Sequence, residues 1–197
     1  MKILFFILCL ALTSHHTPPA VFIVDVKRIA MASIPELVNK YSAEHNVRPD
    51  IVAAIIVQES GGNPLAFRFE PKFYERRLAF RSREGLSGHV PPPPPEGVTL
   101  ISEKIMRATS WGLMQIMGET ARSALGFKSN HIISLVDPEI NIALGVKYLA
   151  GHLAKFSNLP EKERYTKALT LYNGSSDYPP LIFDHIKHSR HLKFMRA

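Results

Sequence analysis

Between Asp50 and Glu70 the chain carries a single carboxylate, Glu59, and it follows the apolar run Ile51-Val52-Ala53-Ala54-Ile55-Ile56-Val57. Ser60 is its neighbour and Gly61-Gly62 come next. A carboxyl group held against such side chains loses water, which raises its pKa, and the negative end of a helix dipole acts in the same direction. A group of this kind keeps a proton near neutrality and can protonate the leaving oxygen as a glycosidic bond breaks. Read alone, the position fits equally well a solvent-facing glutamate at a frayed helix end. Other residue types suit the same chemistry, because sugars offer apolar ring faces and dense hydroxyls to flat or adaptable apolar surface and fixed amides. Tyr172, Met114 or Met117, Gln115 and Asn173 supply both. Met114 and Tyr172 read equally as helix core, and Asn173-Gly174 as a helix C-terminal cap. Tyr148 falls on the apolar stripe of its helix, which favours the core, with a hydroxyl that could reach Glu59.

The elements that must carry these residues are mainly helical. Ser33 with Glu36 makes a capping box, and Leu37, Val38 and Tyr41 form a stripe, which predicts a helix over about 34–46. Pro49 suits a first helical position, and the run from Ile51 is apolar nearly all round, as in a buried helix that Gly61-Gly62 ends. Residues 63–108 read as irregular, with an aromatic and basic stretch from Phe67 to Arg77 and then Pro91 to Pro95, a polyproline spacer. Helical signals resume at Ser110 and run through Met114, Ile116, Met117, Ala121 and Leu125 to Gly126. Asp137-Pro138 is a cap followed by a proline at the first helical position, opening a stripe through Ile140, Leu144, Tyr148, Leu149, Leu153 and Phe156. Pro160 opens another helix that Asn173-Gly174 ends, and a last one is expected around 181–193. No internal repeat or alternating strand series stands out, so the expectation is one mainly α, compact helical domain over 21–197 with an irregular inserted loop at about 66–108.

Four ordered segments then carry a resemblance. Glu59-Ser60-Gly61-Gly62-Asn63-Pro64, Gly112-Leu113-Met114-Gln115-Ile116-Met117, Asn141-Ile142 with Gly145 and Tyr148-Leu149, and Tyr172-Asn173-Gly174 resemble the signatures of the soluble lytic transglycosylase family. The resemblance spans roughly residues 34–178 apart from the insertion and implies a lysozyme-like fold. It implies cleavage, without water, of the β-1,4 bond between N-acetylmuramic acid and N-acetylglucosamine in peptidoglycan, leaving a 1,6-anhydro sugar. Glu59 aligns with that family's single catalytic acid. Ser60, Met114, Gln115, Met117, Tyr148, Tyr172 and Asn173 are the substrate-binding candidates. About fifty residues separate the first two signatures, where the family usually has few, so a family serine that commonly lies there has no assigned counterpart. Gly118 stands where proline is frequent, and Asn173-Gly174-Ser175 replaces the more frequent Asn-Ala-Gly.

Composition narrows the classes further. Of the 197 residues 46% are hydrophobic and 21% charged, enough apolar material for a core and incompatible with a disordered chain. The net charge of +7 favours anionic partners: nucleic acid, phospholipid headgroups or the bacterial wall. The expected partner is the peptidoglycan glycan strand and not nucleic acid, with a monomer as the expected state and an envelope-spanning apparatus as a possible associate. Arg68, Arg76 and Arg77 in the insertion could contact peptide-stem carboxylates or wall phosphates. The single Cys9 permits no internal disulfide, the spacing of His185, His188 and His191 lacks the acidic partner of a zinc peptidase motif, and no phosphate loop is present. No metal or cofactor is expected. Lys2 ahead of the apolar run Ile3 to Leu12 has the pattern of a secretory signal, shorter than the roughly 20 residues of a membrane-spanning helix. Residues 1–20 therefore read as a signal peptide or N-terminal anchor, and the protein as exported to the periplasm or envelope. Two other readings remain open: a hydrolytic lysozyme, which would need a second carboxylate from Glu70, Glu75, Glu119 or Asp177, and a non-catalytic wall-binding component of a secretion or phage machine.

Overall fold

Capping chemistry sets the first two helices. In the computed structural model, which describes residues 33–80, 94–127 and 131–195, α1 spans Ile34–His45 and α2 spans Pro49–Ser60. The Ser33 hydroxyl accepts from the Glu36 amide, and the Glu36 carboxylate accepts from the Ser33 amide, as the capping box requires. Gly61 ends α2 in the left-handed region at φ 62°, where a side chain would be strained. Every residue from Ile51 to Ile56 is fully buried, so α2 is the central rod of the core, packed against α1, the helix Tyr178–Lys187 and a C-terminal turn. Leaving no polar face over that stretch is what its composition demands.

Beyond α2 the chain is more regular than its sequence suggests. Within the segment expected to be irregular lie β1 (Phe67–Phe69), a helical turn Pro71–Phe73 continued by a π turn Tyr74–Leu78, and helix α3 (Leu100–Arg107). β2 (Thr109–Trp111) pairs antiparallel with β1 and with β3 (Ile116–Met117), giving a three-stranded sheet in the order β1, β2, β3. Residues 110–117, expected to be helical, are therefore a hairpin, and only α4 (Gly118–Ser123) keeps the helical conformation. The physical reason is tertiary. Gly112 and Gln115 both adopt positive φ, 71° and 48°, in the turn between β2 and β3. A side chain at Gly112 would collide with the Asn141 amide and the Leu135 carbonyl.

A long helix, α5 (Pro138–Ala154), stands behind that turn, started by Asp137, whose carboxylate accepts from the Glu139 and Ile140 amides as expected. From α5 the fully buried Asn141 side chain donates to the Trp111 and Leu135 carbonyls at 2.8 Å each and accepts from the Met114 amide at 2.7 Å. α6 (Glu161–Asn173) ends at Gly174 with φ 87°, and α7 (Tyr178–Lys187) follows. The last helix thus starts and stops earlier than expected. Ser189, at φ 56°, turns the chain into the 3-10 turn Arg190–Phe194.

Charged residues brace the sheet from below. Glu103 of α3 accepts from Arg107 at 3.1 Å and from Arg122 of α4 at 2.8 Å, and Arg107 also reaches Glu119 at 3.2 Å. Arg122 further donates to the Phe127 carbonyl, so this buried network is hydrogen-bonded at several points, which such charges require. Among the described residues, no helix is long and apolar enough to cross a membrane. The leader reading of residues 1–20, the Val21–Val24 segment and the start of the proline run lie outside the described residues.

Asn141 is the fold's most exacting polar contact. Replacing it with alanine strands three buried backbone groups, so we expect Asn141→Ala to lower unfolding free energy by about 3 kcal/mol in a denaturant titration. A change within about 0.5 kcal/mol would mean that the hairpin turn holds itself.

Candidate active site

Glu59 occupies the last turn of α2, where the apolar rod reaches a cavity of about 410 Å³. Each wall comes from a different element. β1 and the residue after it bring Arg68 and Glu70; β2, the hairpin turn and β3 bring Ser110, Gln115, Ile116 and Met117. Thr120 of α4, Tyr148 of α5 and the end of α6, Leu171 to Gly174, complete the lining. The strand register explains part of this: Arg68 lies opposite Ser110 and Ser110 opposite Met117, so one row across the sheet faces the cavity.

Burial raises the Glu59 carboxyl above its ordinary pKa of 4.5. Two neighbours work the other way without overcoming it: the nearby Tyr178 hydroxyl, a donor that favours the ionised form, and the positive charge of Arg68. Tyr178 is itself buried, and its hydroxyl meets no partner at ordinary hydrogen-bond geometry among the described residues, so it stands near the acid as an unengaged donor. Burial, followed by the charge of Glu59, pushes the Tyr178 hydroxyl far up, so it stays protonated and acts as a donor. Tyr172 is also raised well above its ordinary value, first by burial and then by Glu59. The site therefore combines one hard-to-ionise carboxylic acid with neutral phenols, an arrangement suited to donating a proton and taking it back.

Side chains around the acid hold the backbone that shapes the groove. The Tyr172 hydroxyl donates to the Met114 carbonyl at 2.8 Å, and its ring lies 5.4 Å from Tyr148 and 6.3 Å from Tyr178. The Ser60 hydroxyl lies 2.9 Å from the Leu113 carbonyl and accepts from the Gly62 amide, linking the end of α2 to the hairpin turn. Gln115 donates through Nε2 to the Gly112 carbonyl at 2.9 Å and to the Ala66 carbonyl at 3.1 Å. The C-terminal segment closes on the other side of the acid. His185 lies 2.8 Å from the Gln58 side chain, Lys193 donates to the Gly61 carbonyl at 3.3 Å, and the Phe194 ring fills the space that a side chain at Gly62 would need.

Glu59, Gln115, Met117, Tyr148, Tyr172 and Asn173 all line the one cavity. Ser60 and Met114 stand behind it. Met114 is fully buried, its sulfur against Gly145, and it meets the site through the carbonyl that Tyr172 holds. The Tyr148 hydroxyl, considered in the sequence as a partner for Glu59, is influenced by Thr120 instead, and Tyr178 takes the place beside the acid. Sequence reasoning did not single out Tyr178, Ser110 or Thr120. Tyr178 follows the Tyr172-Asn173-Gly174 signature by only a few residues and precedes Pro179 at the start of a helix, the one signal that could have drawn attention to it. Of the carboxylates considered for water activation, only Glu70 lines the cavity, and Arg68 holds it at 2.6 Å. Glu119 is engaged by Arg107.

Compared with known protein families, residues 36–177 match the one described as the transglycosylase SLT domain. No solved structure shows a significant match to the chain.

A carboxyl raised by burial is more costly to ionise in the folded chain than in the unfolded one. Its stabilising share is complete below the ordinary 4.5 and is lost as pH rises through the raised value. Glutamine has no such penalty. We expect Glu59→Gln to melt at a higher temperature than the wild type above neutrality, with the gap closing toward acid pH. Identical melting curves across that range would contradict the burial argument.

Proposed function

The chain belongs to the transglycosylase SLT family, whose members are peptidoglycan lytic transglycosylases, and from that premise we propose the cleavage it performs and the residue that performs it. The bond is the β-1,4 linkage from N-acetylmuramic acid to N-acetylglucosamine, and Glu59 is the single general acid and base. The observation carrying this reading is the desolvated Glu59 in a cavity it shares with Gln115, Tyr172 and Asn173.

In the first step the protonated Glu59 gives its proton to the glycosidic oxygen as the bond from that oxygen to the muramoyl C1 breaks. The N-acetylglucosamine leaves with a new hydroxyl. In the second step the muramoyl 6-hydroxyl oxygen bonds to C1 and its proton passes to the Glu59 carboxylate. The acid is restored, a 1,6-anhydro ring closes and no water is consumed. Positive charge at C1 between the steps is met by the substrate's own acetamido oxygen, so a second protein carboxylate is unnecessary, an arrangement with precedent among glycoside-cleaving enzymes. The nearby Tyr178 hydroxyl is a donor that can turn to the carboxylate after it gives up its proton. The pairing of Glu70 with Arg68 at 2.6 Å supports this reading over a hydrolytic one, because one oxygen of that carboxylate is already engaged by the guanidinium instead of being left to orient a water. Cleavage of the wall also fits export, and we propose the periplasm or envelope as the site of action.

Digestion of whole peptidoglycan followed by mass spectrometry tests the proposal. Wild-type protein is expected to release anhydro-muramoyl fragments, and Glu59→Gln to lower release by at least roughly a hundredfold, in line with loss of a general acid. Fragments heavier by one water would assign a hydrolase. Equal release by both proteins would remove Glu59 from the chemistry.

A further inference from the structure

One cation lines the cavity among the described residues, and the chemistry above leaves its far end unused. Arg68 and Glu70 are two residues apart along an extended segment and so share a face, the one turned to the cavity. Phe67 and Phe69 take the opposite face, where their rings lie 5.9 Å from Trp111 and from Tyr74. Among the described residues, only Nε of Arg68 has a hydrogen-bond partner, Glu70 Oε1 at 2.6 Å. That bond anchors the guanidinium at its inner edge and leaves its two terminal amino groups open, on a side chain 67% exposed. An anchored guanidinium fork presents a planar pair of donors that matches a carboxylate. Glu59 and Glu70 are the carboxylates of the same lining, so an anionic group entering the groove finds one favourable place.

We propose that Arg68 reads a carboxylate of the peptide stem that muramic acid carries, making stem-bearing glycan the preferred substrate over bare glycan. The assignment rests on the peptidoglycan reading of this cleft. A glycan strand seated along the groove must send its lactyl-linked stems out over a wall, and the β1 wall is where Arg68 stands. Glu70 is a positioning residue that holds the fork. Leu171, Asn173 and Gly174, which line the cavity from the end of α6, offer no charge to compete.

The experiment compares kcat/KM on three soluble glycan preparations: stem-bearing, stem-bearing with the stem carboxylates amidated, and stripped of stems by an amidase. Wild-type protein is expected to favour the first over the other two by roughly fivefold, the scale of a half-exposed charge-assisted pair. In Arg68→Gln that ratio should fall to about one, mainly through KM on the stem-bearing strand, and Arg68→Lys should keep part of it. Using the ratio cancels any change that the lost positive charge makes to Glu59, since it affects all three substrates alike. Amidation acts on the ligand alone, so it gives the same answer without altering the protein. An unchanged ratio in Arg68→Gln, or equal rates of the wild type on all three preparations, would overturn the assignment while leaving the cleavage reading intact. Failure of the wild type to cleave any of them would overturn both.

Discussion

Removal of one carboxyl group from water is the constraint on which the rest depends. α2 is apolar through its whole middle because it runs through the centre of the core, and Glu59 sits where that rod emerges. The helix therefore does two jobs with one composition. Its buried turns stabilise the domain, and their apolar character makes ionisation of the last-turn glutamate unfavourable. A glutamate at an exposed helix end would have its ordinary acidity and be ionised near neutrality, with no proton to give.

A second constraint is geometric. The proposed acid is useful only if its cavity has shaped walls, and those walls come from a sheet and from α4, α5 and α6, far apart in the chain. Hydrogen bonds to backbone carbonyls and amides solve this. Asn141 fixes the hairpin turn from α5, Ser60 ties the same turn to α2, and Tyr172 ties it to α6. Ser60, Gln115 and Tyr172 each grip the backbone of another part of the chain, which ties the walls of the groove to the end of α2. The 3-10 turn at the C-terminus adds Lys193 and Phe194 against Gly61 and Gly62. Both residues lie C-terminal to the segment 36–177 that matches the family.

Local chemistry was readable directly from residues. The capping box at Ser33 and Glu36, the proline starts at Pro49 and Pro138, and the glycine stops at Gly61 and Gly174 all act within a few positions of themselves. The long-range part was not. Met114, Met117, Ala121 and Leu125 have helical spacing, yet the chain before Gly118 is a hairpin, because Asn141, far along the sequence, holds the turn. α3 hides for a different reason. It buries Glu103, Lys104 and Arg107 while leaving Ile101 and Ile105 exposed, the reverse of the pattern that periodicity looks for. Site residues followed the same division. Those inside compact motifs, Glu59, Gln115, Tyr172 and Asn173, were singled out from the sequence and line the cavity, whereas Ser110 reaches it through strand register and Tyr178 comes near Glu59 through the packing of α7 on α2.

The account stands or falls on the protonation state of one side chain. Selective carbon-13 labelling of glutamate, with the Glu59 carboxyl resonance identified by its loss in Glu59→Gln, allows its titration to be followed by NMR in the intact protein. A midpoint clearly above the ordinary 4.5 is what the buried site requires. A midpoint at or below that value would show an acid already ionised under working conditions, and the mechanism built on its proton would be wrong.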